Sequence, residues 1–252
     1  MADLRRIASP VANLLDIPNG RLERQLLSGE GFVVSNETDG WAKGTRSSDG
    51  YAGYIQMKHL AGWADPTVRV RDMGAHVYER PDIKTIPSHH FPFQAELTVV
   101  DEAGDFAELA GGGFVHQGQI ESIAIVESDF VRTAERYLGV PYLWGGNSQY
   151  GIDCSGLVSA AMRSAKIAHP ADSGAQEKSL GVIIPEHGGL QRGDLIFWKG
   201  HVGLMWDETR LLHANGYHMK VAFEPLSDAI DRILATGGGN VTARRRVAYL
   251  DI

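Results

Sequence analysis

The chain has 252 residues and 43% hydrophobic content, enough for two or three small domains with real cores. Its 31 acidic against 24 basic residues, a formal net charge of -7, give no electrostatic reason to bind phosphate backbones, so nucleic acid is not an expected partner. A single cysteine excludes an internal disulfide and a zinc site built on several thiolates.

Met1-Ala-Asp-Leu-Arg-Arg-Ile carries basic residues with no apolar core behind them, and no stretch reaches the length of a membrane helix, so the expectation is a cytoplasmic protein that does not enter a membrane. From about residue 8 to 125 short β-rich runs are broken by Gly, Asp and Asn. Helical and strand periods alternate from about 127 onward, which predicts a domain boundary near 125.

Two stretches of the first part share a plan of strand, turn, strand with an aromatic, turn and strand. One runs Gly31-Phe-Val-Val-Ser, Asp39-Gly-Trp-Ala-Lys, Gly50-Tyr-Ala-Gly-Tyr-Ile-Gln; the other runs Ala95-Glu-Leu-Thr-Val-Val, Gly104-Asp-Phe-Ala-Glu, Gly112-Gly-Phe-Val-His. Such units suit small antiparallel barrels with turn residues at the corners, two in tandem. The Asp39-Gly-Trp and Gly50-Tyr-Ala-Gly-Tyr-Ile elements resemble the bacterial SH3-like domain. Residues 63–92 are open between an elaborated start to the second barrel and a partial linker.

Glu127 to Leu138 reads as a helix, with Ser128 or Asp129 to cap it and Gly139 to stop it. A loop with Gly145 and Gly146 follows, then Gly151-Ile-Asp-Cys-Ser-Gly-Leu-Val. Counted from Cys154, small or apolar residues recur at Leu157, Val158, Ala161, Met162 and Ala165, which predicts a buried helix that starts at the cysteine with Asp153 as its cap. The free N–H groups of such a first turn are expected to favour thiolate over thiol and to hold an oxyanion.

A lone cysteine is ordinarily a small buried hydrophobe. A thiol nucleophile needs a base, and the base needs a partner to hold it. Gly193-Asp-Leu-Ile-Phe-Trp and Gly200-His-Val-Gly-Leu-Met-Trp read as consecutive strands, with His201 at the start of the second, and Arg210-Leu-Leu-His-Ala-Asn places His213 at the end of a third. Antiparallel neighbours of this kind bring His201 and His213 side by side near Cys154.

Tyr142-Leu-Trp-Gly-Gly, Asp153-Cys-Ser-Gly-Leu-Val, Gly193-Asp-Leu-Ile-Phe-Trp, Gly200-His-Val-Gly-Leu and Leu212-His-Ala stand in the order of the NlpC-type peptidase family of bacterial cell walls, which residues 127 to 247 resemble. The resemblance implies an α+β fold: a papain-like catalytic domain at 126–252, a helix packed on an antiparallel sheet, preceded by SH3-like β-barrels at 1–62 and 63–125. It implies Cys154 as nucleophile, His201 as base and His213 as the polar third member, with Tyr142 near the nucleophile and assisting the oxyanion.

Asp153, Ser155 and Ser173 match positions that line the substrate groove in relatives; the alternatives are a cap, a first-turn residue and a helix start. The chain is also similar to the subgroup of γ-D-glutamyl-L-diamino acid endopeptidases with tandem SH3-like domains, in which the first barrel holds the free amine of an N-terminal L-alanine. Glu23 and Tyr51 are the matching positions, against a solvated charge and a core aromatic as the plain alternatives.

These implications describe a cysteine peptidase that cleaves the γ-D-glutamyl–diamino acid bond of peptidoglycan-derived peptides with free L-Ala, in murein recycling, with no metal and no cofactor. Lysine and diaminopimelate both remain open at the diamino acid position, and His187 and His218 have no assigned role. The rival readings are a papain-like amidase or acyltransferase on another substrate, and a non-catalytic wall-peptide-binding module.

Overall fold

The computed structural model describes residues 3–248, so Met1, Ala2 and positions 249–252 of the expected catalytic domain lie outside the described residues. The chain forms two compact units, Met1–Ile125 with Asn147–Gln149, and Val126–Gly146 with Tyr150–Ile252.

The first unit is built of short strands, as the β-rich runs require. β1 (Asp3–Ile7), β2 (Val11–Leu15), β3 (Leu22–Leu27), β4 (Gly31–Thr38), β5 (Trp41–Arg46), β6 (Ala52–Gln56) and β7 (Leu60–Gly62) form one seven-stranded sheet in the order β3-β2-β6-β5-β4-β1-β7. The β4–β5 hairpin turns on Asp39 and Gly40, at φ 51° and 80°, with Thr38 opposite Trp41. Both φ values are positive, as a two-residue turn matched to the strand twist demands, and Asp-Gly is among the few pairs that meet this cheaply. Ile7, Leu14, Leu26, Phe32 and Ile55, all fully buried, make its core.

A second strand group follows: β8 (Val68–Val70), β9 (Gly74–Tyr78), β10 (Pro87–Pro92), β11 (Glu96–Leu97), β12 (Val99–Ala103), β13 (Phe106–Leu109), β14 (Phe114–His116) and β15 (Ile120–Ser122). It forms a five-stranded sheet, β10-β9-β14-β13-β12, and a three-stranded one, β11-β8-β15. The repeat seen in the sequence reaches the local structure. Met57–His59 and Gln117–Gln119 are matching 3-10 turns after the third strand of each copy. Residues 63–92 hold three strands of this group and are not a linker. The N–H of Glu96 donates to the Ser28 carbonyl at 2.8 Å, which stitches the two groups into one unit.

In the second unit α1 (Phe130–Glu135) is capped by Asp129, whose carboxylate accepts from the Val131 N–H, and Gly139 follows it at φ 84°. Two short strands, β16 (Asn147–Ser148) and β17 (Gly151–Ile152), lie in the chain before α2 (Cys154–Ser164), and α3 (Ser173–Ser179) comes after it. Then β18 (Val182–Ile183), β19 (Leu195–Trp198), β20 (His201–Met205), β21 (Arg210–Asn215), β22 (Lys220–Pro225), α4 (Leu226–Ala235) and β23 (Ala243–Arg246) supply a six-stranded sheet, β18-β23-β19-β20-β21-β22.

Helix α2 packs against α1, β20 and β21, and it is buried on nearly every side, not on one apolar face. Small residues permit this. A Cβ at Gly156 would stand 2.5 Å from the Gly146 carbonyl oxygen, and the side chain of the fully buried Gln176 donates to the Ser155 carbonyl at 3.1 Å and to Ser159 Oγ at 3.2 Å, tying α3 to α2.

Leu157 is fully buried in α2, so Leu157→Ala leaves a cavity in the core that holds the helix. The substitution should lower unfolding free energy by about 2–5 kcal/mol in a denaturant titration, and a loss below about 1 kcal/mol would show that the helix packs more loosely than its burial indicates.

Candidate active site

The site is organised around the first turn of α2. Asp153 precedes the helix with extended backbone, and its carboxylate accepts from the Gly156 N–H at 2.6 Å, the cap expected from the sequence. The same carboxylate also accepts from the Gly145 N–H at 2.9 Å and from Ser155 Oγ at 3.1 Å, so it ties the glycine loop to the helix start. Asp153 and Ser155 are both buried, and their polar atoms are largely spent on each other and on backbone.

Cys154 is 8% exposed at the head of α2, and the backbone N–H of Val202, the residue after His201, points at its sulfur together with those of Ser155 and of Cys154 itself. Strand β20, which starts at His201, therefore runs against the thiol. His201 Nε2 lies 3.0 Å from His213 Nδ1. His213 sits within β21, three residues after its start, where it is fully buried, and not at the strand's end as the sequence reading had it.

Two further residues join this row, and the sequence reading missed both. His213 Nε2 lies 3.0 Å from Glu224 Oε2, and Arg232 donates to Glu224 through Nε at 2.9 Å and Nη2 at 2.6 Å. In the β21–β22 register His213 stands opposite Ala222 and Leu211 opposite Glu224, so Glu224 is the diagonal neighbour of His213 on the same face. Arg232 comes from α4, which starts directly after β22. Only the strand register could have exposed this relation.

The electrostatics correct one expectation. The N–H groups of Val202, Ser155 and Cys154 do favour the thiolate, but burial, followed by the nearby charge of Asp153, outweighs them and pushes the thiol up to about 12. Burial, then His213 and Arg232, pushes His201 down to about 3. The thiol and the imidazole are therefore both neutral at rest. Burial would raise Glu224, but its hydrogen bonds from His213 and Arg232 prevail and hold it at about 2.

Tyr142 is half-buried, its N–H donating to the Met219 carbonyl at 2.9 Å and its backbone bridged to Ile152. Burial, then the charges of Cys154 and Asp153, push its phenol to about 12, which keeps the O–H as a donor close to the thiol. Ser173 opens α3, half-buried. Glu23 and Tyr51 lie in the first unit and meet there: the Tyr51 hydroxyl donates to Glu23 Oε2 at 3.3 Å, with both side chains half-buried.

His213, His218 and Glu224 place potential metal-ligand atoms within 4.8 Å of one another. The donor set is a poor one for a cation: the Glu224 carboxylate is already clamped by the Arg232 guanidinium, and His218 Nδ1 is 3.1 Å from Asn215 Oδ1.

A buried thiol thus stands at a capped helix start, with two imidazoles in contact on neighbouring strands packed against that helix. Residues 139–232 match the NlpC/P60 family, and residues 14–60 match the bacterial dipeptidyl-peptidase Sh3 domain. The chain carries an NlpC/P60 domain behind a bacterial SH3 domain. It is 28% identical over 239 residues to a γ-D-glutamyl-L-lysine dipeptidyl-peptidase of Bacillus cereus, covering 82% of this chain and 71% of that protein. To the peptidoglycan endopeptidase RipB of Mycobacterium tuberculosis it is 34% identical over 116 residues, 39% of this chain and 47% of that one. A solved NlpC/P60 family protein from Bacillus cereus superposes with a TM-score of 0.80 at 23% identity over 98% of this chain and 99% of that one, a likeness of fold. The fold is thus the papain-like one of NlpC/P60 proteins with an SH3-like N-terminal domain, mixed in α and β and rich in sheet.

Within the NlpC/P60 domain the charge on Asp153 works against the thiolate, so Asp153→Asn should lower the thiol's pKa and move the rise of iodoacetamide alkylation with pH to lower pH. Alkylation profiles that coincide for the two proteins would contradict this account of the thiol.

Proposed function

We propose that the chain is a cysteine peptidase that hydrolyses the γ-D-glutamyl–diamino acid bond of peptidoglycan stem peptides bearing a free N-terminal L-alanine. The observation that carries the reading is the thiol at the head of α2 against β20, with His201 on that strand in contact with His213 on the next, inside a domain whose relatives bear peptidase names. In this reading the N-terminal strands close as two SH3-like barrels over 1–62 and 63–125, with the catalytic domain at 126–252.

The chemistry follows from the nitrogens. His201 Nε2 is engaged by His213, so Nδ1 is the atom left to take the thiol proton. Because the resting pair is neutral, the transfer accompanies attack: sulfur bonds to the γ-carbonyl carbon as its proton passes to Nδ1. The oxyanion is held by the Cys154 N–H with the Tyr142 hydroxyl. Imidazolium His201 then protonates the departing amine as the C–N bond breaks, and a water that gives its proton to His201 hydrolyses the thioester. Asp153 holds the loop and helix together, and Ser155 and Ser173 line the groove.

Glu23 and Tyr51 receive the α-ammonium of L-alanine. A charge removed from water needs a carboxylate and further acceptors, and this pair supplies both. Intact wall, whose stem alanine is amide-linked, offers no such ammonium, so the substrate is a released peptide and the work is recycling in the cytoplasm.

Cys154→Ala should abolish hydrolysis of L-Ala-γ-D-Glu-diamino acid peptides with the thermal transition kept, and residual turnover at the wild-type rate would refute the nucleophile. Acetylating the alanine, or Glu23→Gln, should lower kcat/KM by roughly 10- to 100-fold, the worth of a hydrogen bond to a charged group. Equal rates on free and blocked peptides would remove Glu23 and Tyr51 from recognition.

A further inference from the structure

We propose that Glu224, clamped by Arg232, is a positioning residue that fixes the tautomer of both imidazoles and so leaves His201 Nδ1 bare to receive the thiol proton. The donors along one row of side chains fix where each proton sits. Glu224 is ionised and can only accept; its Oε2 takes Arg232 Nη2 at 2.6 Å and faces His213 Nε2 at 3.0 Å, and its Oε1 takes Arg232 Nε at 2.9 Å.

His213 must therefore carry a proton on Nε2. A second proton on His213 would place a cation close to the Arg232 guanidinium in a fully buried position, so His213 is neutral and its Nδ1 is bare. Nδ1 faces His201 Nε2 at 3.0 Å, and two bare nitrogens cannot bond, so His201 carries its proton on Nε2. Neutral His201 then has Nδ1 free as an acceptor.

The opposite choice fails at each link. A proton on His213 Nδ1 would leave the Nε2 lone pair against the carboxylate and would force His201 to hold its own proton on Nδ1, so that the nitrogen not engaged by His213 could no longer accept one. Arg232 acts twice: its two-point grip orients the carboxylate, and its charge keeps Glu224 ionised and His213 neutral. Neither residue touches substrate in this scheme. The catalytic consequence rests on the peptidase reading above, whereas the tautomer itself is a property of the resting chain.

The test is long-range 1H–15N correlation NMR of the 15N-labelled protein at neutral pH without substrate, with His213 assigned by the loss of its signals in His213→Asn. The wild-type protein should show His213 and His201 both protonated at Nε2 only. In Glu224→Gln the amide can present its NH2 as readily as its oxygen to His213, so the Nδ1–H form should appear, and kcat on stem peptides should fall by roughly 100-fold or more with KM little changed, by analogy with the loss that follows a wrong tautomer in other triads. A wild-type His213 carrying its proton on Nδ1 would overturn the proposal whether or not the variant folds. So would a Glu224→Gln protein that keeps the single Nε2–H form or the full kcat. Failure to cleave any stem peptide in the wild type would defeat the functional reading alone, since the spectrum is recorded without turnover.

Discussion

The carboxylate of Asp153 is the joint on which the rest of the site depends. One oxygen caps α2 through the Gly156 N–H and receives the Ser155 hydroxyl, while the other holds the Gly145 N–H. With it in place, the first turn of α2, the loop behind Tyr142 and Cys154 are held together, against β20, by a helix whose small residues allow close contact. The cap has an electrostatic cost. The same negative charge stands beside the sulfur and opposes ionisation.

That conflict shapes the chemistry. An ion pair formed at rest would place two charges in a water-poor site, where they are expensive unless fully paired. The site instead holds the thiol and the imidazole neutral, and in the proposed reaction charge separates only when a carbonyl arrives to accept it, with N–H donors already aimed at the sulfur and a protonated phenol near by. Preorganised dipoles of this kind act in the transition state and are not relaxed in the ground state. Behind His201, His213, Glu224 and Arg232 continue the row to the surface of α4.

Much of this was readable from the residues. Asp39-Gly40 announced its hairpin, the spacing after Cys154 announced α2, and Asp153 announced the cap, because each is a local rule. That His201 and His213 meet followed from reading two consecutive antiparallel strands. Glu224 and Arg232 escaped because their relation to His213 is a matter of strand register and of the return of α4, neither of which leaves a periodic trace. The burial of α2 beyond its one apolar face was hidden by Gly156, Ser159 and Ala160, which carry little hydrophobic signal yet are buried as well. The sign of the thiol's shift was missed for a similar reason: the helix N-terminus is visible in sequence, whereas burial is not.

The most direct measurement of the central claim is rapid-quench mass spectrometry of the protein mixed in excess with L-Ala-γ-D-Glu-lysine or its diaminopimelate counterpart. An adduct of the mass of the L-Ala-γ-D-Glu acyl group, located by peptide mapping on Cys154 and absent in His201→Ala, is the expected result. Complete cleavage with no acyl group on Cys154 at any quench time, or with the adduct on another residue, would contradict the account.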